Sequence, residues 1–380
     1  MNIEFQAHST PTTPPAVARR RPPWPAFARL RVRCRRASTL MALVAALLPL
    51  AATTSGCAPA RGAGGGDDTL TIGAYSVVRE AFRDGILPAF AADWKRKTGR
   101  TVHFEESYNA SGAQSRAIES GFDADIAVLS LEGDVTRLVK AGLVKEDWKN
   151  GPSKGLITRS LVVIGVRPGN PQKIADWEDL TRTGVSVLYP DPKTSGGARW
   201  NINAIYGAGL LKDKKKPDPE AAHTFLSRVQ ANVVNMDSSG RQSMATFERG
   251  TGDAVVTYEN EILLQARMKK IDAPYVLPEA TLLIEGPAAI VDASVKRHGN
   301  REVAEAFLAY LRSDEAQRIL ADYGFRPLNP KLDPPGRKPL PSKLFTMKDL
   351  GGWTKINKEV YAPGGVWDDI FTRKKPGGQP

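Results

Sequence analysis

The chain has 380 residues, 41% of them hydrophobic, which is too long for one small domain and enough for two lobes with their own cores. Its formal net charge of +12 suggests a nucleic-acid partner only at first sight, because residues 1–56 contain eight Arg, no Lys and one Glu. The remainder has 45 basic and 40 acidic residues and no nucleic-acid-binding motif, so we expect no nucleic-acid partner.

Residues 1–66 are typical of an export signal followed by a glycine-rich tether. An arginine-rich segment precedes the apolar run 40–52, which is too short to span a bilayer comfortably. Cys57 follows, and its surroundings resemble a lipoprotein cleavage site. We therefore predict a periplasmic or otherwise extracytoplasmic protein. It is either held at the membrane by an acylated Cys57 or cut after Ala60 by ordinary signal peptidase.

From residue 69 onward, short apolar runs alternate with amphipathic stretches, which is the pattern of an α/β protein. The order of strand, helix and strand implies right-handed crossovers and a mostly parallel sheet. Residues 331–380 are rich in Pro, Gly and Lys, and we expect them to wrap the surface. In chain order we predict strand 69–76, helix 79–99, strand 101–108, helix 111–121, strands 124–131, 160–169 and 185–190, helix 219–232, a strand running into a helix at 252–267, and one long helix at 301–324.

Small polar residues stand directly before several of the predicted helices. The first turn of a helix exposes backbone N–H groups without internal partners, and the helix dipole adds partial positive charge there. Glycine lets a ligand approach that backbone closely, so converging helix starts would form an anion site without a formal charge. The alternative interpretation of each pair is an ordinary N-cap. The segments concerned are Ser111-Gly112, Ser195-Gly196-Gly197 and Ser239-Gly240.

The chain lacks the common signatures of hydrolases, nucleotide-binding loops and zinc proteases. Its two cysteines, Cys34 and Cys57, both precede the predicted folded part, so neither a disulfide nor a cysteine metal site is available. Asp191, Asp237 and Glu259 are expected to cap helices or bond neighbouring backbone. We therefore expect a protein that is not an enzyme and needs no metal or cofactor.

Four long motifs resemble periplasmic sulfate/thiosulfate-binding proteins, the soluble receptors of ABC importers. The resemblance extends from about Leu70 to Phe371. The motifs are DPKTSGGARWN (191–201), GNPQKIADWEDLTRTGVSV (169–187), ERGTGDAVVTYENEILL (248–264) and LFTMKDLGGWTKINKEVY (344–361).

The resemblance implies a two-lobed fold of the type II periplasmic-binding-protein class, in which each lobe is a mostly parallel sheet flanked by helices and a hinge joins them. It places residues 67–162 and 258–330 in lobe I, residues 163–257 in lobe II, and residues 331–380 in a C-terminal wrapping segment. It further implies a monomer that closes over one oxyanion and delivers it to a membrane permease and its ATPase. The implied donors are the backbone N–H groups of Ser76, Ser111, Gly196, Gly197 and Gly240, the Oγ of Ser195, and Tyr258 in place of the family's tryptophan.

Departures from the family motifs leave other ligands open. A phenol can donate or accept a hydrogen bond, whereas an indole N–H only donates, so Tyr258 could admit phosphate. The resemblance to molybdate receptors, which use a Tyr in a similar site, implies molybdate or tungstate as a further alternative. The loop SYNASGAQ also brings Tyr108 and Asn109 near the expected site. An exported hydrolase of sulfate or phosphate esters is a further hypothesis, although no nucleophile can be named for it. The last hypothesis is a structural or interaction protein that uses its proline-rich tail. This hypothesis leaves the three Ser-Gly helix starts unexplained.

Overall fold

The strands form where runs of Val, Ile, Leu and Ala are bounded by polar residues or glycine. The computed structural model describes residues 67–151, 153–213, 216–269 and 274–373, so the predicted signal, tether and Cys57 lie outside the described residues. The strands in this part are β1 (Asp68–Tyr75), β2 (Val102–Asn109), β3 (Ile126–Val128), β4 (Leu156–Val166), β5 (Val187–Leu188), β6 (Val233–Asn235), β7 (Ala254–Tyr258), β8 (Tyr275–Val276) and β9 (Leu283–Ile290).

The helices alternate with these strands, as the periodicity predicts. The predicted helix at 79–99 is continuous, with one wider π-helical stretch (Phe82–Ile86), and ends at Gly99 in the left-handed region with φ 75°. A short 3-10 turn, Ser76–Val78, precedes it. The helices are α1 (Arg79–Ala81), α2 (Leu87–Thr98), α3 (Ser111–Glu119), α4 (Glu132–Lys140), α5 (Gly196–Leu210), α6 (Pro219–Ala231), α7 (Gly240–Glu248), α8 (Glu259–Arg267), α9 (Asp292–His298), α10 (Arg301–Tyr310), α11 (Asp314–Asp322), α12 (Gly352–Ile356) and α13 (Val366–Arg373).

The strands pair in the order β2-β1-β3-β9-β4-β7-β5-β6, and β8 lies alongside β4. At one end β1 is parallel to β2 and β3, and at the other end β5 is parallel to β6 and β7. The central pairs, β3 with β9, β9 with β4 and β4 with β7, are antiparallel. The predicted parallel arrangement therefore applies to the outer strands, and the antiparallel pairs join the two groups.

The 11-residue strand β4 connects the two groups of strands. Its first half, up to Leu161, pairs with β9, and its second half, from Val162 to Val166, pairs with β7. Val162 lies opposite Tyr258, the last residue of β7, and α8 begins at the next residue. The phenol of Tyr258 is thereby placed near the middle of the sheet, where the strand pairing changes.

The predicted long helix at 301–324 is wrong in one respect, because it is two helices. α10 ends at Tyr310 and α11 begins at Asp314. The hydroxyl of Ser313 accepts a hydrogen bond from the backbone N–H of Ala316, and Asp314 and Glu315 occupy the first turn of α11. An N-cap with acidic residues behind it starts a new helix here, and the apolar periodicity alone conceals it.

The C-terminal segment from residue 331 contributes to the hydrophobic core. Phe345, Ile356 and Val360 are almost completely buried in the largest apolar cluster. The ring of Trp353 meets that of Trp200 edge to face, with centroids 5.0 Å apart. The segment therefore packs against α5, which contains Trp200. Among the described residues, no helix is long and apolar enough to cross a membrane.

Candidate functional site

A narrow cavity lies where strands end and helices begin, as expected for ligand sites in parallel sheets. The centre of a water-sized sphere can occupy only about 10 Å³ of it. Six of the seven residues that the resemblance implies as donors line this cavity. The seventh, Gly196, lies beside it, because a Cβ added to Gly196 would be 3.1 Å from the hydroxyl of the lining residue Ser130. The six are Ser76, Ser111, Ser195, Gly197, Gly240 and Tyr258.

Several helix starts surround this cavity. The 3-10 turn begins at Ser76, α3 at Ser111, α5 at Gly196 and α7 at Gly240. The N-termini of the 3-10 turn, α3 and α5 have no side-chain cap. The first N–H groups of each helix lack intrahelical partners, so these starts bring donors and partial positive charge to one place.

The interpretation of Ser-Gly as an ordinary N-cap is correct at one position and wrong at another. The side chain of Ser239 accepts from the N–H of Gln242, so Ser239 caps α7. Ser195 occupies the N-cap position of α5 without making a side-chain cap bond, and it is buried at 4% exposure. The hydroxyl of Ser195 is therefore available to a ligand.

Glycine is required for space at one of these helix starts but not at another. A Cβ added to Gly197 would lie 3.3 Å from Ser195 Oγ and 3.6 Å from the Tyr258 hydroxyl, and so would fill part of the cavity. A Cβ added to Gly240 would meet only a Val77 methyl at 3.7 Å. We conclude that the missing side chain matters most at Gly197.

Buried hydrogen bonds hold the polar wall of the cavity in place. The Ser111 hydroxyl donates to Asp134 Oδ2 at 2.5 Å and accepts from the N–H of Ser130 at 2.9 Å. Ser130 Oγ is 2.8 Å from the Tyr258 hydroxyl, and the Trp200 indole N–H donates to the Ser130 carbonyl at 2.8 Å. Each group is fixed by a neighbour on another element, which pre-organises the wall.

Sequence reasoning missed Ser130, Asp134 and Asn201. Ser130 and Asn201 line the cavity, and Asn201 directs its amide N–H₂ to the Val256 carbonyl at 2.8 Å. A usable signal exists for Ser130, since it lies two residues after the end of the buried strand β3. Nothing in the sequence distinguishes Asp134 from the other acidic residues of the amphipathic helix α4.

Ionisation does not change the charge of the cavity wall at neutral pH. None of the lining side chains is acidic or basic. Burial raises the pKa of Tyr258 well above its ordinary value of 10, and the hydrogen bond with Ser130 opposes the shift only in part. The phenol stays neutral, so the cavity offers only uncharged hydrogen-bonding groups.

Tyr108 and Asn109, the larger side chains noted in the sequence, lie outside the cavity. The Tyr108 hydroxyl donates to Glu106 at 2.7 Å, and the Arg79 guanidinium lies 5.4 Å from the centre of its ring. The Asn109 amide donates to Gln114 at 2.7 Å. Both residues line an open groove beside the cavity. Neither Tyr108 nor Asn109 therefore lines the cavity.

The acidic residues near the site have structural partners. Glu259, expected to cap a helix or bond backbone, instead forms a fully buried two-point ion pair with Arg326, with contacts of 2.7 and 2.8 Å. Arg241 pairs with Glu80 at 2.7 Å and with Glu261 at 3.1 Å. No group of three or more His, Cys, Asp or Glu suited to a metal occurs in the described part of the chain.

Known proteins of one kind resemble this chain along most of its length. It matches the sequence model of the family described as bacterial extracellular solute-binding protein over residues 70–326. A sulfate-binding protein of Synechococcus elongatus is 38% identical over 331 residues, covering 86% of this chain and 93% of that protein. A thiosulfate-binding protein of Pseudomonas aeruginosa is 34% identical over 304 residues, covering 78% and 90%.

A solved structure agrees in fold as well as in sequence. The sulfate-binding protein SubI from Mycobacterium tuberculosis H37Rv is 36% identical with a TM-score of 0.71, and the match covers 77% of this chain and 99% of that chain. This agreement confirms the predicted fold class. The chain belongs to the sulfate/thiosulfate-binding family of bacterial extracellular solute-binding proteins.

Proposed function

We propose that the protein is an extracytoplasmic receptor that captures sulfate or thiosulfate and delivers it to the permease and ATPase of an ABC importer. The single observation that carries the proposal is the enclosed cavity, which is surrounded by helix starts and lined without a charged side chain. Such a site stabilises an anion with dipoles and hydrogen bonds alone. The names of the relatives support the same ligand class.

In this proposal the donors are those that the family resemblance implies. The backbone N–H groups of five residues and the Ser195 hydroxyl would point at the anion, and the Tyr258 hydroxyl would supply the seventh hydrogen bond. Tyr258 OH and Ser130 Oγ share one hydrogen bond, in which either can be the donor. If Ser130 donates there, the phenol hydrogen is free for the ligand. The five backbone donors are Ser76, Ser111, Gly196, Gly197 and Gly240.

We also propose that the chain closes around its ligand as two lobes. Lobe I comprises residues 67–162 and 258–330, and lobe II comprises residues 163–257. The change of pairing partner along β4 supports a boundary near residue 162, and the end of β7 supports one at residue 258. Residues 331–380 would remain a segment that wraps both lobes.

Tyr258 decides between sulfate and other oxyanions. Sulfate is a pure acceptor at neutral pH, whereas hydrogen phosphate carries a proton that needs an acceptor. A site of donors alone rejects phosphate, because a buried donor would face that proton unsatisfied. The phenol could accept it, so phosphate is a competing ligand. Molybdate and tungstate carry no proton at neutral pH, and they compete because related molybdate receptors use a Tyr in a similar site.

Calorimetric titration of the mature protein, dialysed free of anions, tests the proposal. We expect one-to-one binding of sulfate or thiosulfate, with phosphate and chloride silent. Tighter binding of molybdate or phosphate than of sulfate would indicate that the protein is a receptor for that other oxyanion. The Tyr258→Trp variant is the matched comparison: any binding of molybdate or phosphate by the wild type should be lost in this variant, and an unchanged ranking of oxyanions would show that Tyr258 does not set the preference.

Two further parts of the proposal have separate tests. As a receptor and not an enzyme, the protein should leave chromogenic sulfate and phosphate esters intact, and turnover would overturn that statement.

We propose a monomer held at the membrane by an acylated Cys57. Mass spectrometry of the protein from membranes should find lipid on Cys57, and a mature N-terminus at Arg61 would indicate ordinary cleavage after Ala60.

A further inference from the structure

A second pocket lies on the other side of the Ser195-Gly196 segment from the cavity. It offers about 220 Å³ to the centre of a water-sized sphere, against about 10 Å³ in the cavity. Helices α3 and α4 form one wall, and the segment before α5 together with the first turn of α5 forms the opposite wall. Trp353 and Asn357 of the C-terminal segment close one end. This pocket is therefore built from parts of the chain that are distant in sequence.

Positive charge is concentrated in this pocket. Arg116 on α3, Arg137 on α4, and Lys193 and Arg199 on the opposite wall all line it, and Asp134 is the one acidic residue among its lining residues. Arg137 has a carboxylate partner, Glu119, at 3.4 Å. Among the described residues, the other three cations have no carboxylate within 4.0 Å. Arg199 donates instead to the amide oxygen of Asn357 at 3.1 Å, and its guanidinium lies 4.7 Å from the centre of the Tyr361 ring.

Asp134 balances only a small part of this charge. Its carboxylate is buried and accepts a hydrogen bond from Ser111, which faces the cavity. Burial raises the pKa of Asp134, and the nearby charges of Arg199, Arg137 and Arg116 lower it in turn. Arg137 is paired with Glu119, and the three remaining cations around one buried carboxylate leave a net positive pocket. Their mutual repulsion falls when a counter-ion binds.

The pocket also has the donor chemistry that suits a multiply charged oxyanion. Guanidinium groups present planar, paired N–H donors that match sulfate and phosphate oxygens, and an ammonium adds a compact charge. Gly133, in the first turn of α4, has no atom within 4 Å of where a Cβ would lie, so the start of that helix stays open. The N–H of Asp134 donates to the carbonyl of Leu131 at 3.1 Å, and the N–H groups of the first two residues of α4 lack intrahelical partners.

We propose that this pocket is a second anion site, which binds a multiply charged oxyanion through Arg116, Arg137, Lys193 and Arg199. It differs from the cavity in mechanism, because formal charges hold the anion and solvent reaches it. It also differs in size, so it admits oxyanions too large for the enclosed cavity. Binding there should fall steeply with salt, since exposed charges are screened.

Inorganic pyrophosphate is the probe, because the narrow cavity cannot hold it. We would titrate it calorimetrically into the full mature protein, first alone and then with one equivalent of sulfate present. The test variant is Arg116→Gln combined with Lys193→Gln, which removes one cation from each wall. The charge-matched control is Arg318→Gln combined with Lys348→Gln, at exposed positions away from the pocket.

We expect one-to-one pyrophosphate binding in the wild type and the control, unchanged by sulfate. The test variant should bind pyrophosphate about tenfold more weakly or worse, as expected for losing hydrogen bonds to charged groups. Its sulfate binding should be unchanged, which shows that it is folded. The proposal is overturned if pyrophosphate gives no heat, binds the test variant equally well, or is displaced by one equivalent of sulfate. Pyrophosphate could bind the second site even if sulfate does not bind the cavity, so failure of the proposed function and failure of this proposal can be told apart.

Discussion

Ser111 connects the cavity to a buried carboxylate. Its hydroxyl donates to Asp134 and accepts from the Ser130 N–H, while its backbone begins α3. The hydrogen bond favours the ionised form of Asp134 against the cost of burial. The side chain of Ser111 is therefore a positioning group, and its backbone N–H is the part that we propose binds the anion.

Replacing Ser111 by Ala should destabilise the fold in a pH-dependent way. Burial already raises the pKa of Asp134 above its ordinary value of 3.8, so stability falls as pH rises through the interval above that value. Losing the Ser111 donor raises the pKa further. We expect a loss of about 1–3 kcal/mol near neutral pH and a smaller loss near pH 4, measured by urea unfolding.

Ser115→Ala is the matched control for that experiment. Ser115 is also buried on α3, but its hydroxyl donates to the backbone carbonyl of Asp134 and not to the carboxylate. The loss of unfolding free energy in Ser115→Ala should be the same near neutral pH and near pH 4. An equal pH dependence in the two variants would show that the carboxylate of Asp134 is not the cause.

Tyr258→Phe isolates the phenolic hydrogen bond. The ring stays in place while the hydroxyl beside Ser130 and Gly197 is removed, so we expect sulfate affinity to fall by about tenfold. Calorimetry checks this. Tyr310→Phe is the control, because its buried hydroxyl has no hydrogen-bond partner among the described residues and lies outside the cavity lining. Equal sulfate affinity in wild type and Tyr258→Phe would exclude the phenol from the site.

At this scale the sequence predicted which residues meet but not how each is used. Ser195 and Ser239 both precede glycine at a helix start, yet only Ser239 caps its helix. The difference comes from tertiary packing around α5, which no local pattern encodes. The partner of Glu259 was also unpredictable, since Arg326 lies 67 residues away.

The Gly197→Ala variant, at the start of α5, should keep the stability of the protein but lose sulfate affinity. Ala suits a helix better than Gly, but the added methyl would stand between Ser195 and Tyr258 where the anion is proposed to lie. We expect sulfate affinity to fall at least about a hundredfold, as for the loss of two hydrogen bonds to a charged ligand. Gly133→Ala, in the first turn of α4 with open space around it, should bind sulfate normally.

Helix α8 depends on a buried ion pair at its first residue. Glu259 and Arg326 are both almost fully buried, and Arg326 also donates to the Lys338 carbonyl. Arg326→Met would leave a buried carboxylate without its partner, so we expect unfolding free energy to drop by about 3–5 kcal/mol. Chemical denaturation measures it. The double variant Arg326→Met with Glu259→Leu should recover part of the loss, and no recovery would contradict the ion-pair explanation.

Most elements followed from periodicity, and the exceptions have physical causes. The strands around β1, β4 and β7 were predicted because they are continuous apolar runs between turn residues. The hydrophobic pattern could not locate the break at Ser313, since both helices continue the same apolar face. β9 was missed because a charged residue, a glycine and a proline (Glu285, Gly286 and Pro287) interrupt its apolar run in the sequence.

At the scale of the whole molecule, the site is assembled from distant parts of the chain. The turn at Ser76 follows β1, α3 follows β2, and α5 and α7 follow β5 and β6. Arg241 on α7 contacts Glu80 on α1 and Glu261 on α8, so ion pairs join these elements beside the cavity. Parallel strands aim these helix starts at one place, which explains how uncharged donors can converge in a protein with so much surface charge.

The central claim is that uncharged donors alone hold the oxyanion in the cavity. Its most direct test is the sulfate dissociation constant, measured by calorimetry at intervals between pH 7 and pH 9.5 at fixed ionic strength. No ionisable group with a pKa in that range lines the cavity, and the pKa of Tyr258 lies well above its ordinary value of 10. We expect tight one-to-one binding that is constant within about twofold. A loss of affinity of tenfold or more across this range would contradict this claim, because a side chain that loses its positive charge between pH 7 and pH 9.5 would then be holding the anion.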